Sequence, residues 1–317
     1  MSLTGHSLTD TETQSPEYDD VCVLLPTLNE AETIGDLIDG FNANGFSNVL
    51  VIDGDSSDRT REIAAEHGAR VITQSGDGKG QAVREALDHI KTTYVLMADG
   101  DDTYRPGDAH AMVKPLRSGE AEHVIGDRFA SMAEGAMSWL NRAGNGQINR
   151  AFAYIHGRDL RDILSGYRAF TRESAERMAL AADGFGIETE LAVECTRRNV
   201  STAVVPIHYD ARPTESETNL RPLRDGGVII LTLYRLARTH NPLFYFGSLG
   251  ILTMVLGLCI AVWVGYRWVV YTTAHEVIAL FAASAFLFGM QLVMFGLLSD
   301  LIVTLHREQM RRIEREE

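Results

Sequence analysis

The chain is poor in basic charge: 29 Lys and Arg stand against 43 Asp and Glu over 317 residues, a net charge of −14. A duplex nucleic-acid binder needs a basic footprint, so no nucleic-acid partner is expected. The acid excess favours solubility and suits a salt-rich cytoplasm. Cysteine is scarce too. Cys22, Cys195 and Cys259 are odd in number and far apart, which excludes a disulfide framework and a cysteine zinc site. The opening "MSLTGHSLTDTETQSPEYDD" lacks a basic start and an apolar core, so it does not read as a signal peptide. Residues 1–19 are expected to be a disordered lead-in. Internal repeats are missing, and so are two nucleotide loops. In "SGDGKGQ", Gln81 stands where G-x-G-x-x-G needs glycine, and Gly80 where a Walker loop needs Ser or Thr.

Residues 20–225 alternate short β-rich apolar runs with helical patterns. "VCVLLP" closes at Pro26. "TLNEAETIGDLIDGF" follows, with Asn29 the expected N-cap, Glu32 three residues on, and Ile34, Leu37, Ile38 and Phe41 on one helical face. "NVLVIDG" ends a second strand at Asp53. "SSDRTREIAAEHGA" reads as a helix opened by Ser or Asp and closed by Gly68. "RVIT", "GKGQAVREALDHI" and "TYVLMAD" continue as strand, helix and strand. This alternation predicts an α/β fold with a mostly parallel sheet and helices on both faces. Ligands of such sheets bind beyond the carboxyl ends of the strands, where Pro26, Asp53 and Asp99 fall. The glycine-rich turn is either a plain helix start or a place where Lys79 and backbone N–H groups meet a phosphate.

The far end differs. Residues 243–266 run 24 positions without a charge and 277–299 run 23. At about 1.5 Å per residue each would cross a hydrocarbon core of roughly 30 Å. Gly247, Gly250, Gly257, Gly289 and Gly296 suit close helix packing in lipid, and Trp263, Tyr266, Trp268 and Tyr271 suit an interfacial belt. A buried hairpin in a soluble domain is the alternative. The loop between the spans is expected to hold Arg267 and Glu276. Arg235 and Arg238 precede the spans, and Arg307, Arg311 and Arg312 follow in a tail at 300–317. The positive-inside rule then makes this a multi-pass protein of the cell membrane, with its N-terminal region cytoplasmic. Residues 226–242, with Ile229, Leu233 and Leu236 at helical spacing, read as an interfacial helix or a simple linker.

The chemistry concentrates in "ADGDDT", where Asp99, Asp101 and Asp102 follow an apolar run. Three readings compete: a solvated turn, a D-x-D-x-T phosphotransfer nucleophile, and a D-x-D pair holding a cation on a nucleotide-sugar diphosphate. The second wants its motif on the first strand and a further acidic pair downstream, whereas "IGDR" offers only Asp127. The third needs a hard divalent cation, one or two carboxylates, and water in the remaining positions.

The motifs "PTLNE", "VIDGDSSDRT", "GKGQAVREAL", "ADGD", "VIGDRF", "LSGYRAF" and "GFGIETEL", in this order, resemble family 2 glycosyltransferases of the GT-A fold. They are similar to the branch that makes polyprenyl-phosphate sugars, and within it to archaeal, particularly haloarchaeal, dolichyl-phosphate hexosyltransferases that begin N-glycan assembly. The resemblance implies a GT-A domain, a nucleotide-sugar donor, dolichyl phosphate as acceptor, and Mg²⁺ or Mn²⁺ on Asp99 and Asp101, with Asp101 the more direct ligand. It places Pro26, Glu30 and Asp53 at base and ribose, Arg212 at the diphosphate, and Arg128 and Arg168 at the acceptor phosphate. UDP-glucose is favoured over GDP-mannose and UDP-GlcNAc, with inversion at the anomeric carbon. Asn219–Leu220 departs from the Lys–Leu of many relatives, so Arg221 or Arg224 would supply that charge. Two alternatives stay open: a sugar or lipid hydroxyl as acceptor, with Asp127 as base rather than in an ordinary ion pair, and a membrane-anchored nucleotide-sugar-binding protein without turnover. Of Glu188 and Glu190, one is expected to cap a helix and the other to face the site. His156, with no ligand partner at usable spacing, reads as packed or capping.

Overall fold

The computed structural model describes residues 18–181, 186–212 and 242–316. The expectations for 1–17 and for 213–241, including Asn219, Arg221, Arg224, Arg235 and Arg238, lie outside the described residues, as do those for the side chains of Arg307, Arg311 and Arg312. The chain divides into two compact units, Met1–Trp139 with Arg161–Asn219, and Leu140–Leu160 with Leu220–Glu317.

The first unit is built on a seven-stranded sheet: β1 (Val21–Thr27), β2 (Val49–Asp53), β3 (Arg70–Thr73), β4 (Tyr94–Met97), β5 (His123–Met132), β6 (Arg168–Thr171) and β7 (Thr202–Tyr209), in the order β3-β2-β1-β4-β6-β5-β7. β1 pairs in parallel with β2 and β4, and β2 with β3. β6 runs antiparallel to β4 and β5, while β5 and β7 are parallel. The sheet is therefore mixed but mostly parallel. β1 and β2 are buried along their whole length, as expected of strands covered on both faces.

Alternate residues of each strand feed two cores. Val21, Val23 and Leu25 pack with α1 (Ile34–Ala43), α2 (Thr60–Glu66) and α4 (Ala109–Arg117). Cys22, Leu24, Leu50 and Ile52 pack with α3 (Lys79–His89), α6 (Arg172–Glu176) and α7 (Ile187–Arg197). Ile34, Leu37, Ile38 and Phe41 are fully buried, so the predicted stripe is the real one. The predicted cap is not. α1 starts at Ile34, and Asn29 has φ 57° and turns its amide oxygen to the Ser57 N–H at 2.9 Å. Asn29 stands too far ahead of the helix to cap it, and tying two loops together takes its place. The opening of α2 does follow the sequence: Asp58 accepts from the Thr60 N–H at 3.0 Å, and Gly68 (φ 88°) ends the helix.

The second unit holds α8 (Pro242–Tyr271), α9 (Glu276–Glu316) and all but the first residue of α5 (Trp139–His156). α5 joins it in part through Tyr154, whose ring meets that of Phe244 edge-on at 5.9 Å. The segment 140–160 thus groups with the apolar helices rather than with the sheet. His156 packs its ring on Phe152, centroids 4.7 Å apart.

Pro242–Tyr271 and Glu276–Leu305 are each long and apolar enough to cross a membrane, the most apolar stretch of each having mean hydropathy 2.2. Only 17 % and 11 % of their most apolar windows is buried, the opposite of a soluble core hairpin. The helices outlast the uncharged runs: Arg267 lies inside α8, over the rings of Trp263 and Tyr271, and Glu276 is the first residue of α9. The expected charged loop is therefore short: Arg267 stays helical with its guanidinium over two aromatic rings. α8 and α9 touch through glycine. A Cβ at Gly250 would sit 2.6 Å from the Gly289 carbonyl oxygen, and one at Gly257 2.8 Å from that of Ala282. Gly250 and Gly257, like Ala282, Gly289 and Gly296, recur every seven residues and keep one seam small.

Candidate active site

Because β1, β2 and β4 are parallel, their carboxyl ends open on one edge. Thr27 is level with Asp53, and Leu24 with Met97, two residues before Asp99. The motif residues around this edge mostly hold one another. The N–H groups of Asn29, Glu30 and Ala31 are donated to Ser56 Oγ (2.9 Å), Thr60 Oγ1 (2.9 Å) and Asp58 Oδ2 (3.2 Å). "DGDSSDRT" is thereby laced to "TLNE". Asp53, fully buried, accepts from the Ser56 N–H at 2.8 Å and the Ser56 hydroxyl at 2.5 Å. Its carboxylate fixes this turn, and Pro26 is buried within β1 beside Ile52. Neither presents an open face to a base or ribose here.

The acidic loop after β4 is pinned from several sides. Thr33 donates its hydroxyl to the Gly100 carbonyl at 2.7 Å. Asp101 accepts from the Thr103 hydroxyl at 2.7 Å. Gly166 of "SGYR" donates its N–H to Tyr104 Oη at 2.9 Å, and a Cβ on Gly166 would fall on the Asp99 carboxylate. Only glycine lets this backbone approach Asp99 so closely.

Two cations enter the same cluster. Lys79 heads α3 directly after Gly78, whose φ of 92° favours glycine, and its ammonium pairs with both Asp99 and Glu188. Arg212 pairs with Glu30 and lies 3.9 Å from Asp101. The structure thus brings together Glu30, Lys79, Asp99, Asp101 and Arg212 from the predicted set, and adds Glu188. Glu188 faces the cluster, while Glu190 accepts from the Ala181 N–H at 3.0 Å. Burial, then the charge of Asp99, push the Asp101 carboxyl above the ordinary carboxylate range. Among these six side chains the carboxylates outnumber the cations, and Asp99 and Asp101 offer hard oxygen ligands of the kind a divalent cation takes. Among the described residues no group of three His, Cys, Asp or Glu forms a cage, so such a cation would draw its remaining ligands from water and substrate.

The predicted arginines part company. Arg128 is buried and makes a fork on buried Asp162, Nε to Oδ2 at 2.7 Å and Nη2 to Oδ1 at 2.8 Å. Its Nη1 makes no hydrogen bond among the described residues, and its guanidinium lies 5.4 Å from the Tyr209 ring centroid. Arg168 spends its donors within the fold. Fully buried, it donates Nε to the Ser165 carbonyl (3.0 Å) and Nη2 to the Ile163 carbonyl (2.7 Å), with Nη1 3.1 Å from His123 Nε2. Its charge holds the 163–165 loop, so it has no fork left for a phosphate. Asp127 accepts from the Phe129 N–H at 3.0 Å, and burial raises its carboxyl. Asp127 thus accepts from a backbone N–H, while Arg128 belongs to Asp162. No sequence signal marked Asp162, because its partner stands 34 residues away.

A mostly parallel α/β sheet carrying an acidic loop, a lysine and an arginine at one strand edge has the GT-A architecture of nucleotide-sugar transferases. Residues 22–178 match the model of glycosyl transferase family 2, and the chain belongs to that family. It is 62% identical over 300 residues to glycosyltransferase AglJ of Haloferax volcanii, covering 94% of this chain and 99% of that one. It is 35% identical to a dolichyl-phosphate hexose transferase of the same organism, over 67% of this chain and 91% of that one. Among solved structures, glucosyl-3-phosphoglycerate synthase from Mycobacterium tuberculosis, in complex with Mn²⁺, UDP-glucose and phosphoglyceric acid, superposes with a TM-score of 0.55. That match has 25% identity and covers 68% of this chain and 79% of the synthase. Family membership removes the phosphotransfer reading of D-x-D-x-T.

Proposed function

We propose that this glycosyltransferase moves a hexose, from UDP-glucose by preference, to dolichyl phosphate with inversion, on the cytoplasmic face of a membrane that α8 and α9 span. The observation that carries this reading is the cluster of Asp99, Asp101, Lys79, Arg212, Glu30 and Glu188, in which carboxylates outnumber cations. Asp101, with Asp99 beside it, would hold Mg²⁺ or Mn²⁺, which when bound neutralises the leaving nucleoside diphosphate. The Mn²⁺ and UDP-glucose of the mycobacterial synthase, and the acceptor in the name of the 35% identical relative, support donor and acceptor class.

The chain's own residues divide the remaining work. Lys79 and Arg212 are the cations available to phosphate oxygens, and Glu30 keeps Arg212 in place. Arg128, oriented by Asp162, has one guanidinium nitrogen for an acceptor phosphate. A phosphate monoester with a second pKa near ~6 is already an oxyanion at neutral pH, so the reaction needs no strong base. A second reading, transfer to a hydroxyl, draws on the raised carboxyl of Asp127 as base. Asp127→Asn separates them. The phosphate reading expects transfer to fall less than about tenfold; a base role would cost on the order of 10²–10⁴-fold in kcat.

A further inference from the structure

Lys79 is one ammonium shared by two carboxylates from distant parts of the chain. It heads α3, Asp99 follows β4, and Glu188 lies in the first turn of α7. The Lys79 side chain is 10 % exposed and that of Glu188 6 %, whereas Asp99 keeps 31 %. Lys79 is thus held between a more exposed carboxylate, Asp99, and a buried one, Glu188. An ammonium buried this far needs a partner at every stage. Glu188 supplies one that is not in the D-x-D pair, so Lys79 has a counter-charge even when it leaves Asp99. Gly78 is the N-cap of this 11-residue helix and makes no side-chain cap, so the first backbone N–H groups of α3 stand beside Lys79.

We infer that Lys79 and Glu188 gate the cation site. Without a nucleotide, Lys79 neutralises Asp99, and a divalent cation binds weakly to the half-cancelled pair. A nucleoside diphosphate at the glycine turn offers Lys79 new oxyanions while Glu188 keeps its hold, and Asp99 is released to the cation. Cation and nucleotide then bind cooperatively, each raising the affinity of the other by the same factor. The gate rests on the reading of Asp99 and Asp101 as the cation pair.

The test is a Mn²⁺ titration of the full chain in detergent, following the free aquo ion by electron paramagnetic resonance, with and without UDP. Wild type should bind Mn²⁺ weakly alone and tightly with UDP. Lys79→Met should bind Mn²⁺ without UDP on the order of tenfold more tightly, with the UDP effect reduced. Glu188→Gln leaves Lys79 wholly on Asp99 and should weaken Mn²⁺ binding without UDP. Should Lys79→Met not fold, Lys79→Met with Glu188→Gln buries one carboxylate fewer and should show the same gain. Mn²⁺ affinity without UDP that is unchanged or lower in the folded Lys79 variant overturns the gate. Asp101→Asn distinguishes the two levels: loss of Mn²⁺ binding keeps the cation pair, and undiminished binding overturns the pair and the gate with it.

Discussion

Arg128 and Arg168 are both buried, and they place their donors very differently. Arg128 and Arg168 both resemble acceptor-site residues in their motifs, yet Arg168 gives its donors to Ser165, Ile163 and His123, while Arg128 keeps Nη1. Asp162→Ala would leave the Arg128 guanidinium buried without its partner. It should cost about 3–5 kcal/mol of stability, read by chemical unfolding in detergent. His123 gives a pH signature. Burial first, then Arg168, holds its imidazole well below 6.5, so it stays neutral in the folded protein and takes up a proton on unfolding. The unfolded state binds more protons, so this contribution is complete above pH 6.5 and is lost as pH falls toward the depressed folded value. Unfolding midpoints should therefore drop below pH 6.5, and His123→Gln should flatten that part of the profile.

At the scale of elements, the seam between α8 and α9 is the clearest case of small residues setting geometry. Gly289→Leu would drive a side chain into the Gly250 carbonyl and Met254, whereas Gly265 has nothing within 4 Å of a Cβ. Gly289→Leu should lower the melting temperature in detergent by several degrees, and Gly265→Leu should leave it near wild type. Strands and helices were legible in the sequence because their periodicity is local: the Ile34–Phe41 stripe and the β1 run appear as read, and both uncharged runs lie within helices that extend beyond them. Helix ends were less so. Asn29 looked like a cap, but its side chain answers to Ser57 across a loop, a contact that no local pattern encodes. The reversed β6 and the grouping of 140–160 with the apolar helices depend on long-range pairing in the same way.

For the molecule as a whole, charge and hydropathy divide the labour. Acidic residues outnumber basic ones in the whole chain, while two helices contain apolar stretches of mean hydropathy 2.2 with little burial. Extraction with high salt and carbonate should leave the protein in the membrane pellet, and only detergent should release it. The candidate site was legible in part. Asp99, Asp101, Lys79, Glu30 and Arg212 meet as their motifs suggested, since parallel strands and glycine turns deliver them to one edge. Asp53 and Pro26 were read as ligand contacts, and in the fold Asp53 also fixes the Ser56 turn while Pro26 lies within β1, contacts that a local motif does not encode.

The most direct measurement incubates membranes containing the full chain with dolichyl phosphate, Mg²⁺ and each labelled nucleotide sugar in turn, and follows label into the lipid extract. The account predicts lipid label from UDP-glucose, absent with Asp101→Ala. A folded, nucleotide-binding protein that yields no lipid label from any donor would contradict it.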